Sequence, residues 1–172
     1  VSIVIPVYNQ FGYTYNCLKS ILMNSGECSY EVIIANDCST DLTTQLGDVA
    51  KGINIINNKD NLRFLLNCNN AAKYAKGEYL LFLNNDIEII TKDYMERMLT
   101  LCGKENTGAV GAKLYYPDDT IQHAGIVIGI GGHARGIAAN MCVGQVRSDS
   151  GYMYRASLRQ NLSAATAAFL MV

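Results

Sequence analysis

Strand-like and helix-like segments alternate four times along residues 1–106, and that regularity limits the possible fold more than any other property of the chain. The first, "VSIVIPVY", is a continuous β-branched run of the kind found in strands buried on both faces of a parallel sheet. "FGYTYNCLKSILMNSG" follows, with Phe11, Tyr15, Leu18 and Leu22 at helical spacing and Gly26 just past the end. "YEVIIAND" is a second buried strand, and "STDLTTQLGDVAKG" reads as a helix capped by Ser39 or Thr40. "GINIIN" is a short third strand. "LRFLLNCNNAAKYAKG" reads as a helix with Leu65, Cys68, Ala72 and Ala75 on one stripe and Gly77 as its stop. "EYLLFLNND" and "KDYMERMLTLCG" form the fourth pair. The pattern predicts an α/β fold, a Rossmann-like, mostly parallel sheet flanked by helices.

After Thr107 the texture changes. "GAVGAKLYYPDDTIQHAGIVIG" reads as two strands joined by a Pro-Asp-Asp turn, a small antiparallel addition. Gly125 to Gly151 holds seven glycines and no periodicity, which marks a long loop. The closing "SAATAAFLMV" has the look of a strand stopped mid-stride, so the expectation is a single domain over 1–172 that continues beyond Val172.

Composition narrows the partners. With 172 residues, 49% of them hydrophobic, the chain can bury one sizeable core. A formal net charge of −1 gives no long-range field to attract nucleic acid or an anionic membrane. No apolar run approaches the roughly 18–20 residues that span a bilayer. The six cysteines form no C-x-x-C pair and read as reduced core thiols of a cytoplasmic protein.

In parallel sheets ligands bind beyond the carboxyl ends of the strands. Here those ends are Tyr8-Asn9, Asn36-Asp37 and Asn84-Asn85-Asp86, all polar. No G-x-G-x-x-G follows the first strand and no Walker lysine is present; "GIGG" at 129–132 lies outside any strand-to-helix turn. A phosphorylated ligand without a glycine cradle needs its charge met otherwise, commonly by a divalent metal on one or two carboxylates. Asp86 could supply one, or Asn-Asn-Asp could simply end a strand by bonding its own backbone. Asp37 could accept the imide N–H of a pyrimidine with Tyr8 against the same ring, or could be an ordinary strand exit. His123 reads as a satisfied strand histidine. Arg135, Arg147, Arg155 and Arg159, set against Asp149, read as a solvated basic loop or as a flap over a diphosphate or anionic acceptor.

Taken together, "VSIVIPVYNQFGYTYNCLKSIL", "YEVIIANDCSTD", "NLRFLLNCNNAAKYAKGEYLLFLNND" and "GAVGAKLYYPDDTIQHAGIVIG" resemble family 2 glycosyltransferases, which have the GT-A fold. "GYMYRASLRQNLSAATAAFLMV" is similar to the bacterial rhamnosyltransferase-like subgroup of polysaccharide pathways. The resemblance implies inverting transfer of a sugar from a UDP- or dTDP-linked donor to a glycan or lipid-linked acceptor, with Mg²⁺ or Mn²⁺. It implies a cytoplasmic enzyme compatible with peripheral association at the inner face of the membrane. Residues 1–106 would hold the nucleotide and 107–172 would begin the acceptor side. Pro6, Tyr8 and Asp37 would border the base; Asn84, Asn85 and Asp86 would take the place of the family's D-x-D, with Asp86 on the metal and Asn84 near the ribose. Two departures stand out. Arg63 occupies a position usually glycine, and Leu66 one where an arginine near the donor is common, so Arg63 either replaces that cation or obstructs the loop. The catalytic base is expected beyond Val172, and neither Glu88 nor Asp119 is assigned to that role. The alternatives are a degenerate nucleotide-sugar-binding module and a nucleotidyltransferase, the latter disfavoured by "PVYNQFG" after the first strand.

Overall fold

The computed structural model describes residues 1–129 and 138–172. Arg135 and the Gly131-Gly132 part of "GIGG" therefore lie outside the described residues. Two compact units emerge, one of residues 1–110 with 167–172 and one of residues 111–166.

The first unit is built on a sheet ordered β3-β2-β1-β4-β10-β5. Its strands β1 (Ser2–Val7), β2 (Glu31–Asn36), β3 (Ile53–Asn57) and β4 (Leu80–Leu83) are parallel neighbours. β5 (Val110–Gly111) sits at the edge where this unit ends. β10 (Phe169–Met171) adds to β4 antiparallel, with Phe169 opposite Leu83. The β-branched runs are buried as their continuous apolarity requires: Ile3, Val4, Ile5, Ile33 and Ile34 have no exposed surface. On one face Val4, Ile33, Ala35 and Ala71 form a cluster with Ile56, Ala75, Leu80 and Phe82 packed around it.

Four helices connect these strands: α1 (Phe11–Asn24), α2 (Leu46–Val49), α3 (Arg63–Ala72) and α4 (Tyr94–Cys102). Two differ in phase from the sequence expectation. α1 buries Thr14, Cys17 and Ile21, leaving Tyr15 and Leu22 exposed. Polar bonds fix this rotation. Asn85 Nδ2 donates to Thr14 Oγ1 at 3.0 Å, Ser20 Oγ accepts from Ile89 N, and Asn24 Nδ2 donates to Ile89 O. α3 buries Asn67, Cys68 and Ala71 rather than Leu65 and Ala72, because Asn67 Nδ2 reaches Ala35 O at 2.7 Å on the core face. The segment expected as one helix after β2 is a 3₁₀ turn (Leu42–Gln45) running into the short α2. Its cap is Asp41, whose Oδ1 accepts from Thr43 N, and neither Ser39 nor Thr40 fills that place. Of the six cysteines, all free, only Cys17 and Cys68 are buried.

In the second unit β6 (Leu114–Tyr115) and β7 (Ile121–His123) pair antiparallel across the expected Pro-Asp-Asp turn. Tyr116 N closes the turn on Thr120 O, and Asp118 Oδ1 accepts from Thr120 N and Oγ1. The glycine-rich stretch is not a plain loop: β8 (Ile126–Ile128) and β9 (Ala138–Asn140) form a second antiparallel pair.

No helix among the described residues is long and apolar enough to cross a membrane.

Candidate functional site

Register brings three polar strand ends to one edge of the first unit. Val7 pairs with Asn36 and Val4 with Phe82, so β1, β2 and β4 finish side by side. A cleft of about 330 Å³ opens there. Six of the residues singled out in the sequence line it: Pro6, Tyr8, Asp37, Arg63, Asn84 and Asn85. Asn61, Phe64 and Asn67 join them, and nothing in the periodicity had marked those three. Asp86, next along the chain from Asn85, is solvent-exposed and outside the lining.

Asp37 is 3% exposed, and its carboxylate is held by the protein itself. Oδ1 accepts from Asn58 Nδ2 and Leu62 N, each at 2.8 Å, and Oδ2 accepts from Arg63 N at 2.8 Å. The side chain thus caps α3 from a neighbouring strand, satisfying amides that a helix start leaves free. With about two acceptor directions per oxygen, Oδ1 is filled and Oδ2 keeps one. Arg63, the first residue of α3, has φ 59, a left-handed conformation. That backbone explains why glycine suits this position, as the resemblance implied.

Tyr8 stands at the rim, 57% exposed. The loop after it is rigidly tied: Asn9 Oδ1 accepts from Thr40 N at 2.7 Å and from Asp41 N, and Asp41 Oδ2 accepts from Phe11 N at 3.0 Å. Hydrogen bonds, first from Thr43 and then from the Phe11 amide, hold the Asp41 carboxyl below its usual range.

At the third strand end, Asn84 N bonds Ala168 O and Asn84 O accepts weakly from the Cys17 thiol at 3.7 Å. Burial, and then the Asp86 and Glu88 charges, push that thiol up to about 12. Asn84 Oδ1 is buried and has no hydrogen-bond partner among the described residues. Asn84 lines the cleft, but this oxygen itself has almost no exposed surface, so a ligand hydroxyl would reach it only after the side chain turns. A divalent metal fits a particular way. No group of three or more His, Cys, Asp or Glu is clustered among the described residues, so there is no protein cage. A single exposed carboxylate, Asp86, is compatible with an ion whose remaining positions are water and phosphate oxygen.

The second unit's candidates have other engagements. His123 is buried, with Nδ1 2.8 Å from Asn140 Oδ1, as a satisfied strand histidine. Arg147 pairs with Asp119 at 3.1 Å and stacks over Tyr115 at 4.7 Å. Asp149 Oδ1 accepts from Gly151 N, while Arg155 and Arg159 are exposed.

The mostly parallel sheet with a polar cleft at its carboxyl edge is an α/β fold of the GT-A kind, the fold of the solved structures it resembles. Residues 2–162 match glycosyl transferase family 2, and the chain belongs to that family. It is 34% identical over its whole length to an uncharacterized protein, y4gI, of Sinorhizobium fredii, of which it covers 19%. It is 47% identical over 64 residues, 37% of its length, to an O-antigen biosynthesis protein, RfbC, of Myxococcus xanthus, covering 5% of that protein. A mannosyltransferase of Pyrobaculum calidifontis, solved with GDP-Man and Mn²⁺, shares the fold with a TM-score of 0.58 at 17% identity, over 69% of this chain and 36% of that one. The chain therefore spans a fifth or less of these two curated relatives.

Proposed function

We propose that this chain is the donor-binding part of an inverting, metal-dependent glycosyltransferase that moves a sugar from a UDP- or dTDP-linked donor to a glycan or lipid-linked acceptor in polysaccharide assembly. The observation that carries the reading is the cleft itself, whose lining brings together Asp37, with one acceptor direction of Oδ2 unfilled, and Asn84.

Asp37 Oδ2 accepts one base N–H. Uracil and thymine present a single imide donor flanked by carbonyls, whereas guanine presents two adjacent donors that ask for both carboxylate oxygens. With Oδ1 filled by Asn58 and Leu62, the pyrimidine is the better fit. Tyr8 covers the ring, Asn84 lies near the ribose, and Arg63 brings a guanidinium to the diphosphate. A divalent ion, Mg²⁺ or Mn²⁺ held by Asp86, supplies charge neutralisation at the departing diphosphate. Support comes from the mannosyltransferase that shares this fold and binds a nucleotide sugar with Mn²⁺, and from the O-antigen relative. Residues 107–172 are assigned to the acceptor side, and a lipid-linked acceptor goes with work at the inner face of the membrane.

Calorimetry tests this directly. UDP or dTDP should bind more tightly than GDP, and Mn²⁺ should strengthen that binding. A chain that binds none of the three, or prefers GDP, overturns the reading.

A further inference from the structure

Around Asp37 lies a set of side-chain amides of which donor recognition has so far drawn only on the bond from Asn58 to Asp37 Oδ1. Asn58, one residue past β3, donates through Nδ2 to Asp37 Oδ1 and to Asn67 Oδ1, each at 2.8 Å. Its Oδ1 accepts from Asn70 Nδ2 at 3.0 Å, and its backbone N–H bonds Asn36 O. Asn67 in turn is anchored by Nδ2 on Ala35 O at 2.7 Å and is 2% exposed. Both hydrogens and the oxygen of the Asn58 amide are thereby engaged. Rotating it by half a turn would set its oxygen against two other oxygens, Asp37 Oδ1 and Asn67 Oδ1, so one orientation is enforced.

We infer that Asn58, clamped by Asn67 and Asn70, is a positioning residue for the donor base: it fixes the rotation of the Asp37 carboxylate so that the free direction of Oδ2 faces the cleft. The chemistry suits the task. A lysine or arginine here would neutralise the carboxylate, while an amide holds it and leaves its charge for the ligand's N–H. The backbone donors Leu62, the N-cap of α3, and Arg63, its first residue, fix Asp37 against the start of the helix. Asn58 ties the same carboxylate to the end of β3, and two attachments from different elements stop it from turning. This inference rests on the donor reading above and extends it to a residue outside the cleft lining.

The test compares UDP with N3-methyl-UDP, which lacks the imide donor, by calorimetry on the wild type, Asn58→Asp and Asn70→Ala. The wild type is expected to prefer UDP by about 10-fold or more, the worth of one hydrogen bond to a charged group. Asn70→Ala, a mild change that removes the donor to Asn58 Oδ1 and loosens the clamp while the bonds to Asp37 and Asn67 remain, should cut that preference to roughly 3-fold. Asn58→Asp places a second carboxyl against Asp37. The other titratable groups near the pair are Arg63 and Tyr8, which share the cleft, and Cys38, whose thiol donates to Asn58 O at 3.5 Å. At pH 8 the two like charges repel and the preference should vanish. Near pH 5, where the pair can share a proton, it should return. General damage to the fold would weaken both ligands equally and leave the ratio unchanged. A ratio in both variants equal to that of the wild type at every pH sinks the positioning role alone. A wild type that binds UDP and N3-methyl-UDP equally, or neither, removes the donor-base reading and this inference with it.

Discussion

Replacing Arg63 by glycine separates two effects that the wild type combines. The residue has φ 59, and an L-residue in that region costs about 1–2 kcal/mol through contact of its Cβ with the carbonyl. Glycine removes that cost but returns about 0.5–1 kcal/mol as extra freedom in the unfolded chain. The bonds from Arg63 N to Asp37 Oδ2 and Asn61 Oδ1 are backbone donations and survive the change. The net expectation is a gain of about 0.5–1 kcal/mol, which for a chain of this size raises Tm by roughly 1–4 °C. The same substitution takes a guanidinium out of the cleft. If that cation meets the diphosphate, UDP binding should weaken by about 1–2 kcal/mol, roughly 5–30-fold. Arg63→Lys keeps a charge and the strained backbone, so its Tm should match the wild type and its affinity should fall between the two. Scanning calorimetry and UDP titration on the three proteins give both readouts. A lower Tm for Arg63→Gly refutes the strain argument. Tighter UDP binding by Arg63→Gly refutes the cation role and makes Arg63 an obstruction.

Other outcomes follow from individual contacts. Asp86→Ala should leave UDP binding without metal intact and abolish its strengthening by Mn²⁺, measured by calorimetry; a retained Mn²⁺ effect removes Asp86 from the metal. Asp41→Ala should cost about 1–2 kcal/mol at neutral pH, since the Thr43 and Phe11 amides lose their acceptor. The Asp41 carboxyl titrates below its ordinary 3.8, so its contribution is complete above that pH and fades as pH falls through the lower folded value. Urea melts at pH 7 and pH 3 should show the gap between the two proteins narrowing in acid. Burial raises the Cys68 thiol to about 11 and, with nearby carboxylates, the Cys17 thiol to about 12. Iodoacetamide at pH 8 should therefore spare both in the folded chain, and mass spectrometry showing either one labelled as fast as Cys38 would contradict that burial.

What the sequence made legible divides along one physical line. Strands β1 and β2 were readable because both faces of each are covered, so their apolarity is unbroken and needs no phase; β4 is apolar throughout although only Leu81 and Leu83 are fully buried. Helix faces need a phase, and in α1 and α3 the side buried against the protein is not the greasiest side. α1 turns Thr14, Cys17, Ser20 and Asn24 toward the segment after β4 because that segment carries the site and must be held by directed bonds. Leu22 and Tyr15 are left outside as a result. α3 likewise buries Asn67, and Leu65 is left exposed. A period search on hydrophobicity follows the wrong stripe wherever a helix serves the site rather than the core. The candidate site was visible for the complementary reason. Polar residues at the ends of buried strands stand out against apolar surroundings, so Tyr8, Asp37, Asn84 and Asn85 could be picked singly and the register then gathered them. Their supports could not be picked, because an asparagine that holds a carboxylate looks like any loop asparagine until its partners are known. Asn58 sits in "NIINNKDN", where the amides are easily taken for solvent-facing turn residues, yet its side chain bonds three others. Misphased amphipathic helices beside a cluster of polar strand ends are thus themselves a sign of a site. The polar atoms that displace leucines from a buried face do so because something there has to be aimed.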